Sequence, residues 1–115
     1  MPIELLSRHD ADAADATTLL ERHPLHLIYK HSPYCSLSFV AEEQVRNFAG
    51  QEGAIPVTMI DVIRQRAMSD AIEEVTGVRH ESPQVLLVRD GSVVWHASHR
   101  RVSAIAIESA VKAEG

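Results

Sequence analysis

Residues 25–38 read LHLIYKHSPYCSLS, and this stretch decides the fold. Its first part, Leu25–His31, is apolar and β-prone and is bounded by Pro24 and by Ser32-Pro33. A short apolar run with breakers at both ends predicts a central strand covered on both faces. The stretch that follows, FVAEEQVRNFAGQEG, places Phe39, Val40, Val45 and Phe48 in an apolar stripe at helical spacing, with Gly50 or Gly53 to end it. Cys35 therefore sits where a strand hands over to a helix.

Working outward, Pro56–Ile63 (PVTMIDVI) predicts a second buried strand, and residues 67–76 (AMSDAIEEVT) a helix closed by Gly77, with Ser69 and Asp70 as candidate caps. Residues 78–82 form a loop that reaches Pro83. Gln84–Arg89 and Ser92–Ser98 flank Asp90-Gly91, a strong hairpin signal. Trp95 in the second of these strands is read as packed against a helix. Residues 103–113 predict the last helix, with Ser103 as its N-cap. Upstream, DADAADATTLLER (residues 10–22) predicts a helix capped by Asp10 or Asp12, and Pro2–Ser7 a short edge strand. The order (β)αβαβαββα, with strands alternating with helices and then a hairpin, predicts an α/β thioredoxin-like fold: a central mixed sheet flanked by helices. The expected organisation is a single domain over 1–115, with 1–24 as an N-terminal extension and 25–115 as the redox core.

Composition bounds the function. The chain has 115 residues, 45% of them apolar and only 4% aromatic, so a core of Val, Ile, Leu and Ala is affordable. A net charge of −5 repels phosphate backbones, which argues against nucleic acid as a partner. There is no polybasic membrane patch, no apolar run near membrane-span length and no secretory pattern at the N-terminus, so a cytoplasmic protein is expected. One cysteine cannot form an internal disulfide and suits a reducing compartment.

Cys35 is the chemical centre of the reading. A helix N-terminus offers free N–H groups and a partial positive charge, and such positions bring a cysteine pKa down from about 8.5. The thiolate is the nucleophile of thiol–disulfide exchange. Lys30 and His31 lie upstream and could add positive charge. The alternative is a small buried hydrophobe, and spacing alone does not separate the two. The neighbours do: Ser32, Pro33, Tyr34, Ser36 and Ser38 are turn and cap residues. Ser38 completes a C-x-x-S, where a serine cannot resolve a mixed disulfide but could donate a hydrogen bond to the thiolate, or simply bond its own helix backbone. Ser82-Pro83 opens the hairpin strand at the place where thioredoxin-like folds put a cis-proline facing the cysteine. There the backbone of the residue before it pairs with an incoming chain. A trans proline starting an edge strand is the plainer reading of the dipeptide alone, and with the topology and Cys35 in place the cis form is the one expected.

The remaining signals are weaker. The seven histidines include His96-x-x-His99 and His80 beside Glu81, but no metal-ligand spacing, so no metal is expected. Arg100 and Arg101 precede the last helix; they are read as solvated loop residues, with a carboxylate held against the helix N-terminus as the alternative.

Taken together, Lys30-His31-Ser32 with Cys35 and Ser38, then Val78–Gln84 (VRHESPQ), then Val94–Ser98 (VWHAS) resemble the monothiol bacilliredoxins, the YtxJ-like redox proteins of bacillithiol systems. The resemblance covers about residues 25–112. It implies a cysteine that exchanges thiols with bacillithiol or bacillithiolated proteins. Cys35 would be the reactive residue, Ser38 its C-x-x-S serine, and Pro83 the cis-proline. Ser36 departs from the proline that often follows the family's cysteine. The expected activity is monothiol thiol–disulfide exchange on mixed disulfides of a low-molecular-weight thiol. Cys35 would be catalytic, supported by Ser38, Lys30, His31 and Tyr34, and substrate would be met by Ser32, Pro33, Ser82 and Pro83. No cofactor is expected, the small thiol being a co-substrate; the partners are that thiol and S-thiolated client proteins, and the chain is a monomer or weak dimer. Two other readings are a non-catalytic redox sensor or binding module, and a dimeric iron–sulfur carrier of the monothiol glutaredoxin type.

Overall fold

The computed structural model describes residues 3–5, by their backbone, and 16–114. The strands are β1 (Ile3–Leu5), β2 (Leu25–His31), β3 (Val57–Asp61), β4 (Gln84–Arg89) and β5 (Ser92–Ser98). The helices are α1 (Ala16–Leu20), α2 (Ser36–Ala49), α3 (Arg66–Thr76) and α4 (Ala104–Glu114), with a 3-10 turn at His99–Arg101. One five-stranded mixed sheet runs in the order β1-β3-β2-β4-β5. β1, β3 and β2 are mutually parallel; β4 is antiparallel to β2 and to β5. The expected caps Asp10 and Asp12 lie outside the described residues, and the helix expected to reach residue 22 ends at Leu20, ahead of Pro24.

Because β2 has a strand on each side and helices on each face, its residues alternate between two cores. Leu27 and Tyr29 join Ala41, Val45, Phe48 and Ile107 beneath α2 and α4. Ile28 joins Leu19, Leu20, Met68 and Ile72 beneath α1 and α3. The hairpin tip, Asp90 and Gly91, has φ of 49° and 85°, the pair of left-handed residues that a tight primed turn needs. A register shift at Leu87/Val88 leaves Val94 over, as a bulge does. It sends Trp95 to the α2/α4 core and Val93 to the other, although the two are two residues apart.

Three local expectations are corrected. Phe39 and Val40 are exposed, and the buried stripe of α2 is Ser38, Ala41, Val45, Phe48 and Ala49. That set repeats at the helical period from Ser38, whereas Phe39 and Val40 fall outside it. β3 stops at Asp61, whose carboxylate accepts the N–H groups of Ile63 (2.9 Å) and Arg64 (3.0 Å) and turns the chain into α3. α3 begins at Arg66, so Ser69 and Asp70 lie inside it and cap nothing; Ser69 is buried. By contrast Ser103 takes the N-cap place of α4, its hydroxyl accepting from Ala106 N–H at 3.1 Å.

The two phenylalanines of α2 give a test. Phe48 is 3% exposed and Phe39 61%. F48A is expected to cost about 3–5 kcal/mol and F39A less than about 0.5 kcal/mol, read from urea unfolding midpoints. Equal losses would contradict the assignment of the buried face.

Candidate active site

β2 and β4 are antiparallel, with Lys30 opposite Gln84. The loop that leaves β2 and the proline that leads into β4 therefore stand at the same end of the sheet. Ser32-Pro33-Tyr34-Cys35 is a turn closed by Cys35 N–H donating to Ser32 C=O at 3.3 Å. Cys35 is the N-cap of α2, with extended backbone (φ −108°, ψ 124°). Its carbonyl accepts from Ser38 N–H at 3.0 Å, and its thiol is free and half-buried. Tyr34 projects into solvent, 85% exposed. On the facing loop the Ser82–Pro83 peptide bond is cis. Pro83 is buried, and Ser82 and Ser32 line one cavity of about 320 Å³.

Beneath the turn lies a chain of buried hydrogen bonds. Tyr29 Oη donates to Ser38 C=O at 3.0 Å and meets His31 Nδ1 at 2.8 Å. The phenol has one proton, already given to the carbonyl, so His31 donates from Nδ1 and leaves Nε2 toward Glu42, 3.9 Å away. Burial, and then the Glu42 carboxylate, hold the Tyr29 hydroxyl above its usual pKa, so it stays a donor at neutral pH. Ser38, fully buried, accepts Ser32 N–H on its Oγ at 3.2 Å and is not hydrogen-bonded to the Cys35 sulfur.

Lys30 goes elsewhere. The strand alternation that points Tyr29 and His31 toward α2 points Lys30 to the opposite face. There its ammonium donates to Ser69 C=O (3.1 Å) and to His80 Nδ1 (3.2 Å), and Ser69 Oγ lies 3.1 Å from the same nitrogen. His80 N–H donates to Glu73. Desolvation lowers Lys30 to about 8, against the partial support of Glu73 and Asp70. His80 is also lowered, by burial and by Lys30. Of the expected residues, then, Cys35, Ser38, His31, Tyr34, Ser32, Pro33, Ser82 and Pro83 gather at one end of the sheet. Lys30 underlies that end from the other face. Ser69, Glu73, Glu42 and Gln84, whose amide donates to Arg79 C=O at 3.0 Å, went unread in the sequence as site residues. Their only signal was a polar residue on an otherwise apolar helix or strand face. Among the described residues no group of three or more His, Cys, Asp or Glu side chains is placed to hold a metal.

Residues 9–107 match the family described as monothiol bacilliredoxin BrxC. The chain belongs to that family. Among solved structures it is similar to a thioredoxin-fold protein suggested to be an oxidoreductase, with TM-score 0.81 and 27% identity over 95% of this chain and 93% of that one. It is also similar to mitochondrial thioredoxin 3 of Saccharomyces cerevisiae, with TM-score 0.72 and 14% identity over 96% and 94% of the two chains. Fasciola hepatica thioredoxin gives TM-score 0.72 and 15% identity over 97% and 99%. The bacilliredoxin chain thus has a thioredoxin fold, and no helix among its described residues is long and apolar enough to cross a membrane.

The buried lysine has a measurable signature. Lys30 titrates at about 8 in the folded chain against 10.5 unfolded, so between those values the unfolded chain binds more protons. Its contribution therefore makes stability rise as pH climbs from about 8 to about 10.5, by up to about 3 kcal/mol. Tyr29 acts with the opposite sign above about 10, because the unfolded phenol ionises first. Comparison with K30M cancels the tyrosine contribution. The stability difference, wild type minus K30M, is expected to climb across that window in denaturant melts; a flat difference would refute the assignment.

Proposed function

We propose that this bacilliredoxin is a monothiol thiol–disulfide oxidoreductase that removes a low-molecular-weight thiol, of the bacillithiol type, from mixed disulfides on client proteins. The observation that carries the reading is the position of Cys35: a free, half-buried thiol at the N-cap of a long helix, at the same end of the sheet as the cis Ser82–Pro83 loop. Thiols so placed act as nucleophiles through their thiolates.

The Cys35 thiolate attacks the small-thiol sulfur of client–S–S–R. The S–S bond breaks, the client leaves as its thiolate, and Cys35 carries –S–R. A second small thiolate then attacks this adduct, releasing R–S–S–R and restoring the Cys35 thiolate. No electrons come from outside, because the second small thiol is the reductant. Ser38 stands where a resolving cysteine would close an internal disulfide, so resolution is left to that thiol. Tyr29, Ser38 and Ser32 hold the turn that presents the sulfur. The backbone of Ser82 aligns the incoming disulfide as a short antiparallel strand, with Pro33 and Tyr34 forming the opposite lip.

Intact mass spectrometry tests the scheme. Incubation with an S-thiolated client is expected to give one small-thiol adduct on the wild type and none on C35S, and excess small thiol should remove it. An adduct that excess thiol never removes would point to a sensor rather than an enzyme. No adduct at all would refute thiol exchange.

A further inference from the structure

The basic residues of this acidic chain are not spread evenly around the site. Arg46, Arg66 and Arg89 each lie near a carboxylate, of Glu42, Asp70 and Glu114 respectively. Arg100 and Arg101 have no carboxylate partner among the described residues. They line, with Leu37, Glu81, Ser98 and His99, a shallow cavity of about 470 Å³. One wall, Leu37, is in the first turn of α2, two residues from Cys35; another, Glu81, immediately precedes Ser82-Pro83. The cavity therefore opens beside the place where a mixed disulfide would lie.

The turn is a built feature. His99 has φ 53°, a conformation uncommon for a residue with a side chain. It is held there by its own N–H donating to Pro83 C=O at 2.9 Å and by Val102 N–H donating back to its carbonyl at 3.2 Å. The cationic segment is thus tied to the proline loop through the backbone. At the N-terminus of α4 the Ala104 and Ala106 N–H groups are already taken, by Gln44 (3.0 Å) and Ser103 (3.1 Å). The one carboxylate in the cavity, Glu81, is engaged at 2.6 Å by Ser98 Oγ and is flanked by His99, Arg79 and His96. Two guanidinium groups remain for a ligand, and their planar donor fork matches a carboxylate in two hydrogen bonds.

We propose that Arg100 and Arg101 form the subsite for a carboxylate-bearing part of the small thiol, so that the protein selects acidic low-molecular-weight thiols over neutral ones. This rests on the exchange reaction proposed above and adds the group that recognises its co-substrate. A single net charge of −5 would otherwise disfavour such a thiol.

The test uses the full chain and two peptide mixed disulfides, one with mercaptosuccinate, a dicarboxylate, and one with neutral mercaptoethanol. The rate of Cys35 adduct formation is measured for each, and their ratio is compared among variants. R100Q/R101Q is expected to lower the mercaptosuccinate-to-mercaptoethanol ratio about tenfold. R89Q/K112Q, which removes the same charge away from the cavity, should retain it. An unchanged ratio in R100Q/R101Q, or an equal fall in both variants, overturns the subsite. Titration of the ¹⁵N-labelled protein with succinate supplies a readout without exchange. Amide shifts are expected at Leu37 and Ser98–Ala104 and should vanish in R100Q/R101Q; shifts that persist in the variant, or none at all, overturn the proposal. If succinate binds in this way but neither disulfide loads Cys35, the exchange reaction fails and the anion subsite stands.

Discussion

The hydroxyl of Tyr29 rises from the middle of the sheet and donates to the carbonyl of Ser38, in the first turn of α2. The Oγ of that same serine accepts the N–H of Ser32, the residue that opens the loop before Cys35. These two contacts join the end of β2, the loop and the helix start into one unit. The first is buried, in low-dielectric surroundings where a satisfied hydrogen bond is strong and a broken one costs about 1–3 kcal/mol; the second is half-buried. The placement of the cysteine at a helix N-terminus depends on this unit. Helix propensity alone would let the first turn fray, since α2 has neither a side-chain cap bond nor an acidic residue in its first turn. A serine at position 38 thus does two jobs: it holds the turn, and it withholds a second thiol.

The polar residues at this end of the sheet are divided by the two-residue period of β2. Tyr29 and His31 serve the cysteine turn; Lys30 goes through the sheet to Ser69, His80 and the acids of α3. A fully buried ammonium is expensive unless it is hydrogen-bonded, and here the helix carbonyl and an imidazole nitrogen receive it. The result is that the cavity shared by Ser32 and Ser82 has a polar floor formed by Ser69 and His80. The side chains under the loops are held on both faces of the sheet, so the rim of the site rests on fixed supports rather than on the loops themselves.

Most of the framework was legible because it is written in short-range patterns. Leu25–His31 and Gln84–Arg89 are runs bounded by breakers, Asp90-Gly91 matches a left-handed pair, and Ser103 caps the helix that follows it. What failed was legible only in three dimensions. Phe39 and Val40 look as apolar as Phe48, yet the buried face of α2 is set by Ser38 and Ala41, small residues that let the helix approach the sheet. Ser69 resembles a cap by residue type, but Asp61 and Gln65 turn the chain earlier and carry Ser69 into the helix interior. Lys30 beside His31 reads as one basic pair in sequence, and strand alternation sends the two to opposite faces. The bulge that separates Val93 from Trp95 has no mark in the sequence, because nothing local fixes a register shift.

The same geometry bears on how one sulfur would suffice for the exchange proposed above. In a two-cysteine site the second thiol releases the mixed disulfide from within, and the small thiol need not be recognised. Here the Oγ at that position is occupied by a backbone N–H, so in the exchange proposed above turnover would depend on capturing a molecule from solution. Capture by shape is weak for a ligand of a few atoms, whereas a pair of guanidinium groups with no carboxylate partner among the described residues offers charge and direction together. The turn that bears them is bonded to the carbonyl of Pro83, the residue beside which the mixed disulfide is proposed to lie. On that proposal, loss of internal resolution and a basic turn against the proline loop are two sides of one arrangement: the resolving group comes from the ligand rather than the helix, and the basic turn is where it would be held.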